Sequence, residues 1–207
     1  MGKIIQIPRE LKEKIAAGEV ITSPYSVVKE LIENSIDAGS TEIKIKIERG
    51  GKRLIKVTDN GRGMDQEDLE NCAKRYTTSK IHNEEEFINV KTLGFRGEAL
   101  ASVTVVSELK ISSNEIEVLY NDEGNIIESK PSSLQKGTSI EVRNLFSKFP
   151  ARLKYLKSDD YEFSKIYDLV QKYSLVYKNI NFTLFKEEKV MFNSPAGNMK
   201  NKVYYAY

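Results

Sequence analysis

The chain has 207 residues, 40% of them hydrophobic and 30% charged, and carries a formal net charge of +2. That length allows a sizeable core in one domain, or one domain plus the beginning of another, and so small a charge argues against strong nonspecific nucleic-acid binding through this piece alone. A single cysteine, Cys72, excludes an internal disulfide, and with one histidine, His82, it argues against zinc; no stretch has the length and apolarity of a membrane span or a secretory leader, so a reducing cytoplasm is expected.

Ile4, Ile5 and Ile7 make a short apolar start. Pro8 opens a predicted helix over Arg9–Ala17, which Gly18 is expected to end. Thr22-Ser23-Pro24 then reads as an N-cap before a second helix, Pro24–Gly39. At about 100° per residue, Val27, Val28, Leu31, Ile32, Ile36 and Ala38 share one half of its wheel. Lys29, Glu30, Glu33, Asn34 and Asp37 occupy the other half. Glu30 and Asn34 stand one turn apart where the two halves meet. Taken alone, they are the ordinary polar border of an amphipathic helix.

Thr41–Glu48 alternates Ile43, Ile45 and Ile47 with polar residues, the pattern of a half-buried strand. Gly50-Gly51 signals a hairpin, and Arg53–Asp59 is the return strand. Ile55, Val57 and Asp59 share a face by parity, so Asp59 ends the strand pointing toward the core, where a carboxylate needs a partner. An isolated case would be read as a turn aspartate. Here Asn60-Gly61-Arg62-Gly63 follows, and glycines so close together permit positive φ and close approach of a ligand.

A helix begins near Asp65, and Arg75 to Val90 is polar and weakly periodic, either disordered or a functional lid. It runs into Gly94-Phe95-Arg96-Gly97-Glu98-Ala99-Leu100, glycines flanking a helix start whose free N–H groups suit phosphate. From Val103 to Arg143 the text is mostly β, with strands at Glu108–Ser112, Glu115–Tyr120, Ile126–Lys130 and Ser139–Arg143. Pro150 starts a basic helix in which Arg152, Lys154 and Lys157 read as a solvated face, and a longer helix covers Asp160–Lys178. Asn181–Lys186 and Lys189–Phe192 form a last hairpin, and Met199–Tyr207 has no capping signal, as if cut rather than finished.

These motifs together resemble the N-terminal ATPase domain of the MutL family of DNA mismatch repair proteins. The matching text is Ile15-Ala16-Ala17-Gly18-Glu19-Val20, Val27 through Leu31, Glu33-Asn34-Ser35 and Asp37-Ala38-Gly39. It continues through Asp59-Asn60-Gly61, Gly63, Thr78-Ser79-Lys80, Gly94 through Ala101, Gly137-Thr138 and Pro150-Ala151-Arg152. Each is weak alone; in this order across nearly the whole chain they are specific, and the GFRGEALAS string separates MutL from topoisomerase subunits and other relatives. A non-catalytic DNA-binding or scaffold module is the rival from another class, and intact Glu30, Asn34 and Asp59 argue against it.

The resemblance implies an α+β fold, a two-layer α/β sandwich with helices over one face of a mixed, mostly antiparallel sheet, the GHKL or Bergerat ATPase fold. The chain contains no GxxxxGK[ST], so ATP would not be held by a P-loop. The resemblance further implies that Glu30 activates the attacking water, Asn34 binds Mg2+, and Asp59 accepts from the adenine amine. Gly61 and Gly63 would let the nucleotide approach, and Thr138 would support the adenine end. Thr78, Ser79, Lys80, Gly94, Arg96, Gly97, Glu98, Ala99 and Leu100 would wrap the phosphates. Implied partners are a second copy through ATP-dependent N-terminal dimerisation, a MutS-like mismatch recognition protein and a downstream endonuclease or helicase. DNA would be met mostly through a second domain that these 207 residues lack, as they lack a C-terminal dimerisation domain; no membrane is involved, and a bacterial cytosol fits better than a nucleus. Ser147-Lys148-Phe149 departs from the family's usual short turn ahead of Pro150, without touching a catalytic role.

Overall fold

The computed structural model describes residues 6–8, 16–78, 80, 93 and 97–197. In chain order they form α1 (Pro24–Asp37), β1 (Glu42–Glu48), β2 (Leu54–Asp59), α2 (Gln66–Asn71), α3 (Ala99–Val106), β3 (Glu108–Ser113), β4 (Ile116–Tyr120), β5 (Ile126–Pro131), β6 (Thr138–Arg143), α4 (Pro150–Tyr155), α5 (Asp159–Val176), β7 (Asn181–Lys186) and β8 (Lys189–Ser194). One eight-stranded sheet runs β5-β4-β3-β6-β2-β1-β7-β8. Its only parallel pair among these strands is β1 with β7; the other neighbours are antiparallel, which gives the mixed, mostly antiparallel sheet expected.

Helices α1, α3 and α5 pack on the sheet and α1 also packs on α5, so the layers are two. The core lies between them: Val27, Val28, Leu31 and Ile32 of α1 and Ile166 and Val170 of α5 meet Ile43, Ile45, Ile47, Ile55 and Val57. Period-two alternation sends Lys46, Lys56 and Lys110 to the opposite, helix-free face, where Lys56 and Lys110 pair with Glu141. Among the described residues no helix is long and apolar enough to cross a membrane.

Pro24 opens α1 at N1, and the Ser23 N–H is held by Ser26 Oγ at 3.1 Å. The helix stops at Asp37, and Ala38 and Gly39 (φ +75) form the turn beyond it. Several elements differ from the sequence expectation. Residues 16–20 are helical, so Gly18 lies inside a helical stretch and does not end it. A Cβ there would fall 1.5 Å from the Arg152 guanidinium, which also lies over the Phe146 and Phe149 rings. Arg152 is therefore packed, not part of a solvated face, whereas Lys154 and Lys157 are exposed. The β-branched run Val103–Val106 belongs to α3, because burial of Ala101 through Val106 outweighs local strand propensity. Gly50-Gly51 sits in a 3-10 turn, Arg49–Gly51, whose glycines have φ +63 and +90. The predicted Arg9–Ala17 helix and the Met199–Tyr207 ending lie wholly or largely outside the described residues.

Candidate functional site

Asp59 closes one end of a cavity between the helix layer and the sheet. It is 8% exposed, as its parity with Ile55 and Val57 predicts. Its carboxylate accepts from Ser35 Oγ of α1 at 2.9 Å, from Ser40 Oγ at 3.0 Å and from the Gly61 N–H at 2.8 Å. Gly61 is pressed against the turn after α1: a Cβ would stand 2.9 Å from both the Ala38 Cβ and its carbonyl oxygen. Thr138 on β6 is paired with Asp59 in the β2–β6 register and is buried beside it. Gly63 has φ +74 and lies against the Asn114 amide.

The far end is built by α1 and by the start of α3. Glu30 has 31% of its side chain exposed, with the Lys29 ammonium 3.9 Å from it. One turn on, the Asn34 Oδ1 accepts from Lys80 Nζ at 2.9 Å, and the same ammonium bonds Asp37 Oδ2 at 2.7 Å. Asp37 Oδ1 accepts from the Leu93 N–H at 3.2 Å. Asp37 thus holds the Lys80 side chain and the Leu93 backbone amide, a role beyond the helix edge. Gly97 has φ +63, its carbonyl accepts from the Tyr76 N–H at 3.1 Å, and a Cβ would lie 2.4 Å from the Thr77 carbonyl oxygen. Glu98 occupies the N-cap position of α3 without a side-chain capping bond, and Ala99 and Leu100 open its first turn.

Glu30, Asn34, Asp59, Gly63, Thr78, Lys80, Gly97, Glu98, Ala99, Leu100 and Thr138 all line this cavity, of about 1190 Å³. Thr78 is exposed at its mouth, and Gly61 lies behind Asp59. Ser79, Gly94 and Arg96 lie outside the described residues. Three residues that sequence reasoning left out matter here: Ser35 and Ser40, which hold Asp59, and Asp37, which holds Lys80. Ser35 and Asp37, both in the α1 motif text, stood where a signal could be sought; Ser40 did not.

The donor set suits a purine and a hard cation. A carboxylate offers about four lone-pair sites; three protein donors reach Asp59, leaving acceptor capacity for a ligand N–H. At the other end a protein cation already rests on an amide oxygen and a carboxylate oxygen, the ligand type that Mg2+ prefers. No group of three or more His, Cys, Asp or Glu among the described residues could hold a metal without a ligand's help. Cys72 also lines the cavity; burial pushes its thiol up to about 11, so at neutral pH it is an unreactive thiol.

The sequence pattern of the histidine kinase-, DNA gyrase B- and HSP90-like ATPases matches residues 21–148. The chain belongs to that ATPase family. Within it, the chain is similar to MutL: 43% identity to the DNA mismatch repair protein MutL of Staphylococcus carnosus and 47% to that of Dictyoglomus thermophilum, each over 98% of this chain. The chain spans about a third of the length of these relatives, 32% and 36%. Among solved structures, the Aquifex aeolicus MutL ATPase domain complexed with ADP covers 90% of this chain and is covered over 69% of its own, with TM-score 0.72 and 34% identity. The N-terminal domain of a DNA repair protein gives TM-score 0.81 at 28% identity, over 94% of this chain and 60% of that one. The GHKL fold expected from the motifs is the fold observed.

Proposed function

We propose that this chain is the ATP-binding and ATP-hydrolysing switch domain of a MutL mismatch repair protein. The observation that carries this is one cavity with a buried, incompletely saturated carboxylate at one end and Glu30 with Asn34 at the other. Adenine enters at Asp59, whose remaining lone pair takes the exocyclic amine and so selects adenine over guanine. The triphosphate runs toward the N-terminus of α3, where the Ala99 and Leu100 amides face a phosphate, with Gly97 allowing close approach. Ser79, Gly94 and Arg96 belong to this phosphate wall on the strength of the motif. Asn34 would hold Mg2+, which supplies charge neutralisation on the phosphates when bound. Glu30 accepts the proton of the attacking water and orients it.

Nucleotide draws Lys80 and the Gly97–Leu100 turn onto the phosphates, and the rearranged surface dimerises with a second copy, hydrolysis resetting it. Through that dimer the domain couples a MutS-like mismatch sensor to a downstream endonuclease or helicase in the bacterial cytoplasm. The resemblance assigns a γ-phosphate lysine to a second domain, and losing a transition-state cation costs orders of magnitude in rate. These 207 residues alone are therefore expected to bind ATP better than they hydrolyse it.

Calorimetry with ATP and magnesium tests the pocket. Asn34→Ala and Asp59→Asn should each weaken binding at least tenfold, a loss of about 1.4 kcal/mol or more. Unchanged affinity in both variants would sink the assignment.

A further inference from the structure

Asp59 on β2 stands opposite Thr138 on β6, and the next position in the same row, on β3, is Ser113. Residues in one row of a sheet point to one face, so Ser113 stands beside the pair that lines the cavity. It is 0% exposed, and no step of the reaction proposed above uses it. Its hydroxyl serves two segments at once. The Met64 N–H donates to Ser113 Oγ at 2.8 Å, and Ser113 Oγ donates to the Gly137 carbonyl at 2.8 Å. The Thr138 hydroxyl lies 3.5 Å from it.

The next residue completes the grip on Met64. Asn114 Nδ2 donates to the Met64 carbonyl at 3.2 Å, so both backbone polar groups of Met64 are held by consecutive residues where β3 turns into β4. Asn114 has φ +44, a left-handed conformation that asparagine adopts more readily than most residues. The turn is itself anchored: the Glu115 N–H donates to the Leu134 carbonyl and the Ser132 N–H to the Glu115 carbonyl, each at 2.7 Å. What it grips is the segment directly after Asp59, which contains Gly61 and Gly63 and is flexible by composition. Gly63, Met64 and Thr138 all line the cavity. We propose that Ser113 and Asn114 are positioning residues for nucleotide binding: they fix the loop after Asp59 against the start of β6, and so set the slot that takes the base. A loop already ordered in its bound position spares the ligand the entropy of ordering it. This rests on the reading of Asp59 as the adenine acceptor.

Amide hydrogen exchange and calorimetry test the clamp. Ser113→Ala removes both hydrogen bonds of the hydroxyl, and the Met64 amide should then exchange at least tenfold faster than in the parent. Adenosine and ATP should both bind roughly tenfold more weakly, and by the same factor, because the change acts on the base and not on the phosphates. Asn114→Asp, at an exposed position, exchanges the donor for an acceptor and should weaken both ligands roughly three- to tenfold. A merely structural role would lower the urea midpoint and leave both affinities at the parent value. Parent-rate exchange of Met64 in Ser113→Ala, or parent-level adenosine binding in the two variants, overturns the proposal; if Ser113→Ala does not fold, adenosine binding by Asn114→Asp decides it. Asp59→Asn tests the underlying reading separately. Parent-level adenosine binding in Asp59→Asn overturns the adenine assignment, whereas loss there with parent-level binding in the Ser113 and Asn114 variants overturns the clamp alone.

Discussion

Three donors from three places converge on Asp59: a serine inside α1, a serine after its C-terminal turn and a backbone amide two residues on. The strand end that carries it is fixed from the other side by Gly137, whose φ of +88 brings its backbone against the Asp59 carbonyl. A Cβ at Gly137 would lie 2.0 Å from that oxygen and 2.8 Å from the Asn60 Cα, and neither backbone atom can swing away. Gly137→Ala should therefore cost about 1–3 kcal/mol of stability. By displacing the Asp59 carboxylate it should also weaken ATP binding at least tenfold, beyond what the stability loss explains. Urea unfolding and calorimetry check the two effects, and an unchanged unfolding midpoint would contradict the contact. The inward face of Asp59 could be read from sequence, since side chains alternate along a strand and Ile55 and Val57 declare the buried side. Its partners could not be read: Ser35 and Ser40 are ordinary serines until the fold brings them 2.9 and 3.0 Å from the carboxylate.

At the scale of elements, the helix-free face of the sheet is tied by charge where the covered face is tied by apolar contact. Glu141 on β6 bridges Lys56 on β2, Lys110 on β3 and Arg143 on its own strand. Burial raises its carboxyl, but the hydrogen bonds from Lys56 and Arg143 and the charges of Lys56 and Lys110 prevail and bring it from 4.5 down to about 2. A carboxyl depressed in the folded state contributes stability that is complete above its unfolded value and fades as pH falls through the folded one. The parent should lose this contribution between 4.5 and about 2. Glu141→Gln should be less stable at neutral pH and converge with the parent in acid, as urea midpoints measured from about pH 7 to about pH 2 would show. Parallel curves would contradict the ladder. The strands themselves were evident from alternation, as in Ile43, Ile45 and Ile47. Two things were hidden. Val103–Val106 reads locally as strand, and only its all-round burial makes it the end of α3. Glu33 reads as solvent-facing, and only α5, whose Tyr173 lies 140 residues later, covers it.

For the whole molecule, the charge of the cavity sets a condition on the ligand. Among the described residues its lining carries six carboxylates, Glu19, Glu30, Glu33, Asp59, Asp68 and Glu98, against four cations, Lys29, Arg62, Arg75 and Lys80. Lys29 is engaged with Glu33 and Lys80 with Asp37. A triphosphate entering alone would bring its own negative charge into an acidic, partly enclosed space, where screening by solvent and salt is weaker than in bulk water. A divalent cation travelling with the phosphates would remove that conflict, and on the proposed reading Asn34 would hold it. On the proposed reading the adenine end carries no such constraint, since its recognition would run through one carboxylate and its hydrogen bonds. Replacing magnesium by a chelator should therefore weaken ATP binding at least tenfold, about 1.4 kcal/mol or more, while leaving adenosine binding unchanged. Calorimetric titrations of the two ligands with and without magnesium decide it: ATP affinity that survives the chelator would mean that Lys80 and the arginines suffice for the phosphates and that Asn34 has no metal to hold.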